Sequence, residues 1–296
     1  MPSHITSHWD YVREGEWSIL ETYVIAGTAE RNVYASLRDH RSISAVPPGQ
    51  TFHRLRNEVP LPSIGLGTGG IAPELTQNTM LEALSVGYRM FDMAREYGNE
   101  HVMGEILASH HEMEHIPHRS ELCDPTVEWM HCQDVVDQTG LWIESYMAIT
   151  RAYAEGRVAA IGVSNFNIEL LRELEAAASV VPHVVENFAE PGNVDLDVRL
   201  WCSDHATVYI PYASQRNIGD LPIDIRRAIR AASAKHGVSQ HAVITRFFLQ
   251  TGAAVIPRSS NPTHLGENIK LAQFSLDDAE MHSLGWPFAG HGRDEL

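Results

Sequence analysis

Lysine is almost missing from this chain. Of its 22 basic residues only Lys235 and Lys270 are lysine, and none stands between Met1 and Ala234. Arginine therefore carries nearly all of the positive charge, and positive charge is itself scarce: 38 acidic residues bring the formal net charge to −16. Broad nucleic-acid binding needs a basic footprint and is excluded, although a small positive pocket around a phosphate is not. Cysteine is also rare. Cys123, Cys132 and Cys202 are unevenly spaced and form neither a disulfide framework nor a CxxC knuckle. That points to a reducing compartment, and the chain is read as cytoplasmic. No apolar run reaches membrane-spanning length, so no membrane partner is expected. The opening MPSHITSHWDYVREGEW lacks a basic start followed by an apolar run and is not read as a secretory signal. The closing RDEL looks like a variant ER-retrieval tail and, without an entry signal, is read as coincidence.

What remains suits a soluble globular protein. With 296 residues, 44% hydrophobic and 20% charged, one domain with an appendage buries enough apolar surface to stand without staples. Residues 1–50 are polar, lack a period and end in the breaker Val46-Pro47-Pro48-Gly49. They read as an N-terminal extension, partly disordered, ahead of a domain at 51–296. From Thr51 short β-branched runs alternate with helical patterns, the signature of α/β architecture. Strands are expected at Ser63–Thr68, Tyr88–Met93, Ala159–Val163, His183–Asn187, Thr207–Pro211 and Ala253–Pro257. Helices are expected near Thr76–Val86, Asn99–Ser109, Trp142–Glu155, Asn167–Ala178, Asp195–His205, Ile223–His236, Ser239–Thr251, Pro262–Leu271 and Leu276–Leu284.

A closed barrel of alternating strands and helices needs eight such strands. The shortfall lies between Leu107 and Trp142, where the chain is polar, His-rich and too short for two complete strand–helix units. Within it, His111–His115 (HEMEH) satisfies the HExxH zinc-protease pattern, which would place two histidines on one helix face with Glu112 as base. No third ligand is obvious and Glu114 adds a charge inside the motif, so a solvated loop is the better reading.

Four blocks carry a resemblance. Phe52–Thr68 (FHRLRNEVPLPSIGLGT) resembles the N-terminal hairpin and first barrel strand of aldo-keto reductases. Gly87–Gly104 (GYRMFDMAREYGNEHVMG) is similar to that family's GYRxxDxAxxYxNExxxG block, Gly162–Asn167 (GVSNFN) to its GVSNF block, and Ala254–Asn268 (AVIPRSSNPTHLGEN) to its IPKS…EN block. Their order is the family's order. The resemblance implies a TIM-type (β/α) barrel, here incomplete with six or seven strands. It also implies NADP(H) as cofactor and a small-molecule carbonyl substrate; no feature specifies an oligomeric state.

The resemblance also implies roles. Tyr97 would donate a proton to the carbonyl oxygen as hydride arrives, and Asp92 would fill the family's aspartate position beside it. Read without the family, Asp92 ends an apolar strand and Tyr97 follows in the next loop. In barrels that end carries chemistry, while a helix cap and a packing ring are the plainer alternatives. The family's lysine should follow the segment matching Pro117–Leu122, but the chain continues Cys123-Asp124-Pro125. His131, in VEWMHC, is the candidate for the family's histidine, with no proline after it. The alternative is that Cys123–Gly140 is the loop following a lost histidine. Ser164 and Asn165 would hold the nicotinamide carboxamide, together with Glu186, or with Asn187 after a one-residue slip. Ionised glutamate accepts hydrogen bonds but donates none. Tyr212 would stack on the nicotinamide. Arg258 and Ser259 would grip the 2′-phosphate, with His264 where the family has arginine, and Glu267 and Asn268 would hold the adenine. Arg258 also reads as a solvated loop charge. Two further readings stay open beside the reductase. One is a regulatory or binding barrel that holds cofactor without turning over. The other is a truncated product in which the lost strand exposes sheet edges.

Overall fold

The computed structural model describes residues 51–94, 97–108, 141–156, 158–271 and 274–288. The extension at 1–50, Cys123, Cys132, the HEMEH motif, His131 and the RDEL tail lie outside the described residues.

The domain opens with an antiparallel hairpin, β1 (Phe52–Arg54) and β2 (Pro60–Pro62), in the register Phe52↔Pro62. Two parallel groups follow. β3 (Leu66–Gly67) pairs with β4 (Phe91–Asp92) through Leu66↔Phe91. β5 (Gly162–Ser164), β6 (Val184–Phe188) and β7 (Val208–Tyr212) lie side by side in that order. Residues 253–257 join the groups. The Val255 N–H donates to Ser63 O at 2.9 Å, the Gly65 N–H to Val255 O at 2.8 Å, and the Ala254 N–H to Tyr209 O at 3.1 Å. The neighbours therefore run β4, β3, 253–257, β7, β6, β5, an arc of a parallel barrel. All of the strand runs expected from the sequence lie in this arc. Their ladders are shorter than the apolar runs, because burial extends past the ladder to residues such as Tyr88 and Met90, the Met90 carbonyl accepting from the Leu66 N–H at 2.9 Å. Among the described residues, none pairs with the outer edge of β4 or of β5.

Period-two alternation sorts the strand side chains into two layers. Phe91, Val163, Val185, Tyr209 and Val255 face outward into the main core under the helices. Met90, Ala160, Val184, Val208, Ile210 and Ala254 face the lumen, where Leu55 and Leu61 of the hairpin fill its base. Burial on both faces is why these strands read as nearly continuous apolar runs.

The helices form where caps and breakers allow. α1 (Pro73–Val86) starts three residues before the expected Thr76, because proline lacks only an N–H that the first turn leaves unbonded anyway. It ends at Gly87, whose φ of 111° only glycine adopts without strain. α2 (Glu100–Ala108), α3 (Leu141–Ala154), α4 (Ile168–Ala177) and α5 (Leu196–Asp204) follow their strands or loops. α6 (Ile223–His236) and α7 (Gln240–Gln250) form a pair, and α8 (Pro262–Asn268) begins with the Asn261 side chain accepting from the Thr263 N–H. α9 (Asp278–Ser283) starts with a reciprocal capping box between Asp277 and Glu280. The same two carboxylates receive Lys235, at 2.6 Å from Asp277 and 3.1 Å from Glu280.

Candidate active site

The lumen-facing register continues past the apolar layer. Two residues beyond Met90 is Asp92, beyond Val184 is Glu186, beyond Ile210 is Tyr212, beyond Ile256 is Arg258, and four beyond Ala160 is Ser164. Five strands thus bring five of the expected site residues to the lumen side of one end, the C-terminal end where barrel enzymes keep their chemistry.

Ser164, Asn165, Glu186 and Tyr212 meet around the ends of β5–β7. Ser164 pairs in register with Glu186. Its Oγ donates to the Glu186 carbonyl at 2.6 Å, and the Asn165 N–H donates to the same oxygen at 3.0 Å. Asn165 takes the left-handed φ of 56°, a conformation asparagine tolerates better than most residues, and its Oδ1 accepts from the Tyr212 hydroxyl at 2.6 Å. Burial, and then the Glu186 charge, push the Tyr212 phenol up to about 12, so it stays protonated and keeps donating. Asn187 faces the other way. Its amide donates to Phe166 O at 2.7 Å and to Asp195 at 2.8 Å, while its Oδ1 accepts from the Phe166 N–H at 3.1 Å. Glu186 is therefore the lumen residue, and Asn187 braces the GVSNF loop from behind.

Asp92 and Tyr97 sit across the lumen, on β4 and the loop after it. Asp92 is 7% exposed, and no hydrogen bond or ion pair to its carboxyl occurs among the described residues. Burial pushes that carboxyl up to about 7. Neither lysine reaches it: Lys235 is paired on α6, and Lys270 is exposed beyond α8. The loop carrying Tyr97 is tied to β3. The Thr68 hydroxyl donates to Asp92 O at 2.6 Å and accepts from the Asn99 amide at 2.9 Å. The Tyr97 ring lies on Gly69, whose missing Cβ would come within 2.8 Å of the ring.

Arg258 is exposed at the end of 253–257, and its Nη1 donates to the Gly69 carbonyl at 2.7 Å. Tyr97 and Arg258 therefore meet at one residue, Gly69. Ser259 Oγ accepts from the Asn261 N–H at 3.1 Å, at the start of α8. His264 and Glu267 are exposed on α8, Asn268 is half-buried at its end, and the Tyr88 hydroxyl donates to Leu265 O at 3.3 Å.

Sequence reasoning passed over Thr68, Gly69 and Asn99, and named Asn187 only as the slipped alternative to Glu186. Asn99 sits inside the quoted Gly87–Gly104 block, which was the one available signal. The others act through contacts with residues 21 to 189 positions away, invisible to local periodicity.

The profile of the aldo/keto reductase family matches residues 63–119 and 123–285. An aldo-keto reductase of Mycobacterium avium is 28% identical over 83% of this chain and 91% of its own length. Morphine 6-dehydrogenase of Pseudomonas putida is 30% identical over 78% of this chain and 88% of its own. Among solved structures, a variant of Gox0644 in complex with NADPH superposes with a TM-score of 0.66 at 27% identity, covering 79% of this chain and 92% of that one. A Bombyx mori aldo-keto reductase in complex with NADP reaches a TM-score of 0.69 at 19% identity, over 79% and 91%. These likenesses identify the arc of parallel strands as a TIM-type barrel, and the chain belongs to the aldo/keto reductase family.

Proposed function

We propose that this chain reduces an aldehyde or ketone to an alcohol with NADPH, and that Tyr97 is the proton donor. The observation carrying this reading is the convergence of Asp92, Tyr97, Ser164, Glu186, Tyr212 and Arg258 on one end of the barrel. The donor set fits the cofactor. Arg258 offers an exposed guanidinium fork for a phosphate, beside the bare turn Gly69–Gly70. At the other side of the lumen Ser164 has given its proton to Glu186 O and keeps lone pairs for an amide N–H. Ser259, His264, Glu267 and Asn268 complete the phosphate and adenine side along α8.

When bound, the cofactor supplies a hydride to the carbonyl carbon. Tyr97 gives its phenolic proton to the carbonyl oxygen, leaving an alcohol, and the tyrosinate is reprotonated from water. In reduction a neutral phenol already holds the proton it needs. The chain has no lysine between Met1 and Ala234, so the charge that the family's lysine sets beside its tyrosine and aspartate is not supplied by a lysine here. A turnover lower by about 10²–10⁴-fold than that of a complete site follows from losing one electrostatic partner. The reverse oxidation requires phenolate at the outset and suffers more.

The same missing lysine favours a second reading, a barrel that binds NADPH without turnover. Purified protein, NADPH and a panel of activated aldehydes, followed by cofactor absorbance, separate the two. Turnover that disappears in Tyr97→Phe supports the reductase. Saturable NADPH binding with no turnover supports the second reading. Absence of NADPH binding together with non-cooperative melting would mean a truncated barrel that does not fold. His131, outside the described residues, belongs to the site only if His131→Ala lowers the rate.

A further inference from the structure

The turn after β3 is bare backbone held between two side chains from distant parts of the chain. On one side the Tyr97 ring occupies the space where a side chain at 69 would be: a Cβ built there lies 2.8 Å from Cζ and 3.1 Å from both Cε atoms. On the other, Arg258 Nη1 bonds the Gly69 carbonyl at 2.7 Å and stands 2.7 Å from a Cβ built on Gly70. Gly70 itself has a φ of 71°. The turn is anchored at its base, where the Ile71 N–H donates to Thr68 O at 3.2 Å and the Thr68 hydroxyl donates to Asp92 O at 2.6 Å. A flexible ring yields before an anchored backbone, so a methyl group at 69 displaces Tyr97.

We propose that Gly69 is a positioning residue that seats the Tyr97 ring and links it to Arg258. Its α-carbon is the floor under the phenol and its carbonyl is the anchor of the guanidinium. A change at Arg258 therefore reaches Tyr97 through one residue, with no cofactor needed as intermediary. This rests on Tyr97 as proton donor only for its effect on rate; the linkage itself is a property of the cofactor-free protein.

The test has two readouts. The first is the ultraviolet titration of the Tyr97 phenol in cofactor-free protein, obtained as the difference from Tyr97→Phe. The second is steady-state reduction of an activated aldehyde. Gly69→Ala moves the Tyr97 midpoint by roughly half a pH unit or more. It lowers kcat by about 10–100-fold, the scale of a misplacement near 1 Å. Its NADPH Kd stays within roughly threefold, since every cofactor-side residue is retained. Arg258→Met, at an exposed position, moves the same midpoint without cofactor and raises the NADPH Kd as well. A Tyr97 midpoint unmoved in Arg258→Met overturns the linkage, and an unmoved midpoint with unchanged kcat in Gly69→Ala overturns the seat. If the parent protein reduces nothing while both variants still shift the midpoint, the reductase reading fails and the positioning role stands.

Discussion

Among the described residues, a carboxyl group buried with no ion-pair partner governs the residue scale. The folded value of Asp92 rises from 3.8 to about 7, first through desolvation. The folded protein therefore binds a proton at this site that the unfolded chain releases. Its contribution to stability is fully present below pH 3.8 and is lost as pH climbs through about 7. The rise spans about three pH units at ~1.4 kcal/mol each, so the ceiling is about 4 kcal/mol. Asp92→Asn removes the ionisation. Urea unfolding is expected to show the variant gaining about 2–4 kcal/mol on the parent at pH 8 and little at pH 4.5. An equal difference at both values would mean that Asp92 is already ionised in the folded protein near neutrality. This environment was half legible in the sequence. The end of an apolar strand and the missing lysine were both visible; the burial that turns their combination into a raised acid was not.

Elements place the site, and one strand shows how. β6 presents Glu186 to the lumen and Asn187 to the helix side, where the amide closes both backbone groups of Phe166. Asn187→Ala leaves the Phe166 N–H and carbonyl without their side-chain partner, while the Asp195 oxygen keeps the Tyr209 hydroxyl, at a cost of roughly 1–3 kcal/mol. The GVSNF loop then loosens, and the NADPH Kd rises several-fold in a fluorescence titration. Asp277→Ala, at the capping box of α9 on the α6 side, serves as the contrast: a small loss of stability with NADPH affinity unchanged. Comparable affinities in the two variants would detach Asn187 from the site. Element type and order were readable because the parallel strands are apolar runs and some helices end in a strong signal, such as Gly87 or Gly237 with φ of 65°. Starts were less readable. α1 begins at Pro73, where fixed φ helps a first turn that apolar periodicity does not register. The choice between Glu186 and Asn187 stayed open for another reason: a polar residue at a strand end looks the same whether it faces ligand or brace, and only register decides.

At the scale of the molecule, the described barrel is an arc from β4 round to β5, and the family match breaks between 119 and 123. The sequence departs from the family pattern at Leu122–Cys123, in the same place. Both flanks keep their registers: Asp92 at one rim of the arc and Ser164 at the other occupy lumen positions at the same end. The cofactor-binding side, from β5 round to α8, is therefore expected to work as a unit. NADPH at 100 times its Kd stabilises the fold by about 2.7 kcal/mol. That is a rise of several degrees in the melting temperature of a domain this size. NAD, lacking the phosphate for Arg258, is expected to give less at the same concentration, and equal shifts would remove Arg258 from the phosphate site. The most direct measurement of all is transfer of label. NADPH deuterated at the reactive nicotinamide carbon is incubated with an activated aldehyde, and the product alcohol is analysed by mass spectrometry. Deuterium is expected on the former carbonyl carbon with the parent protein and none above background with Tyr97→Phe. Saturable NADPH binding with no deuterium in the alcohol, or equal transfer by both proteins, would contradict the proposed function.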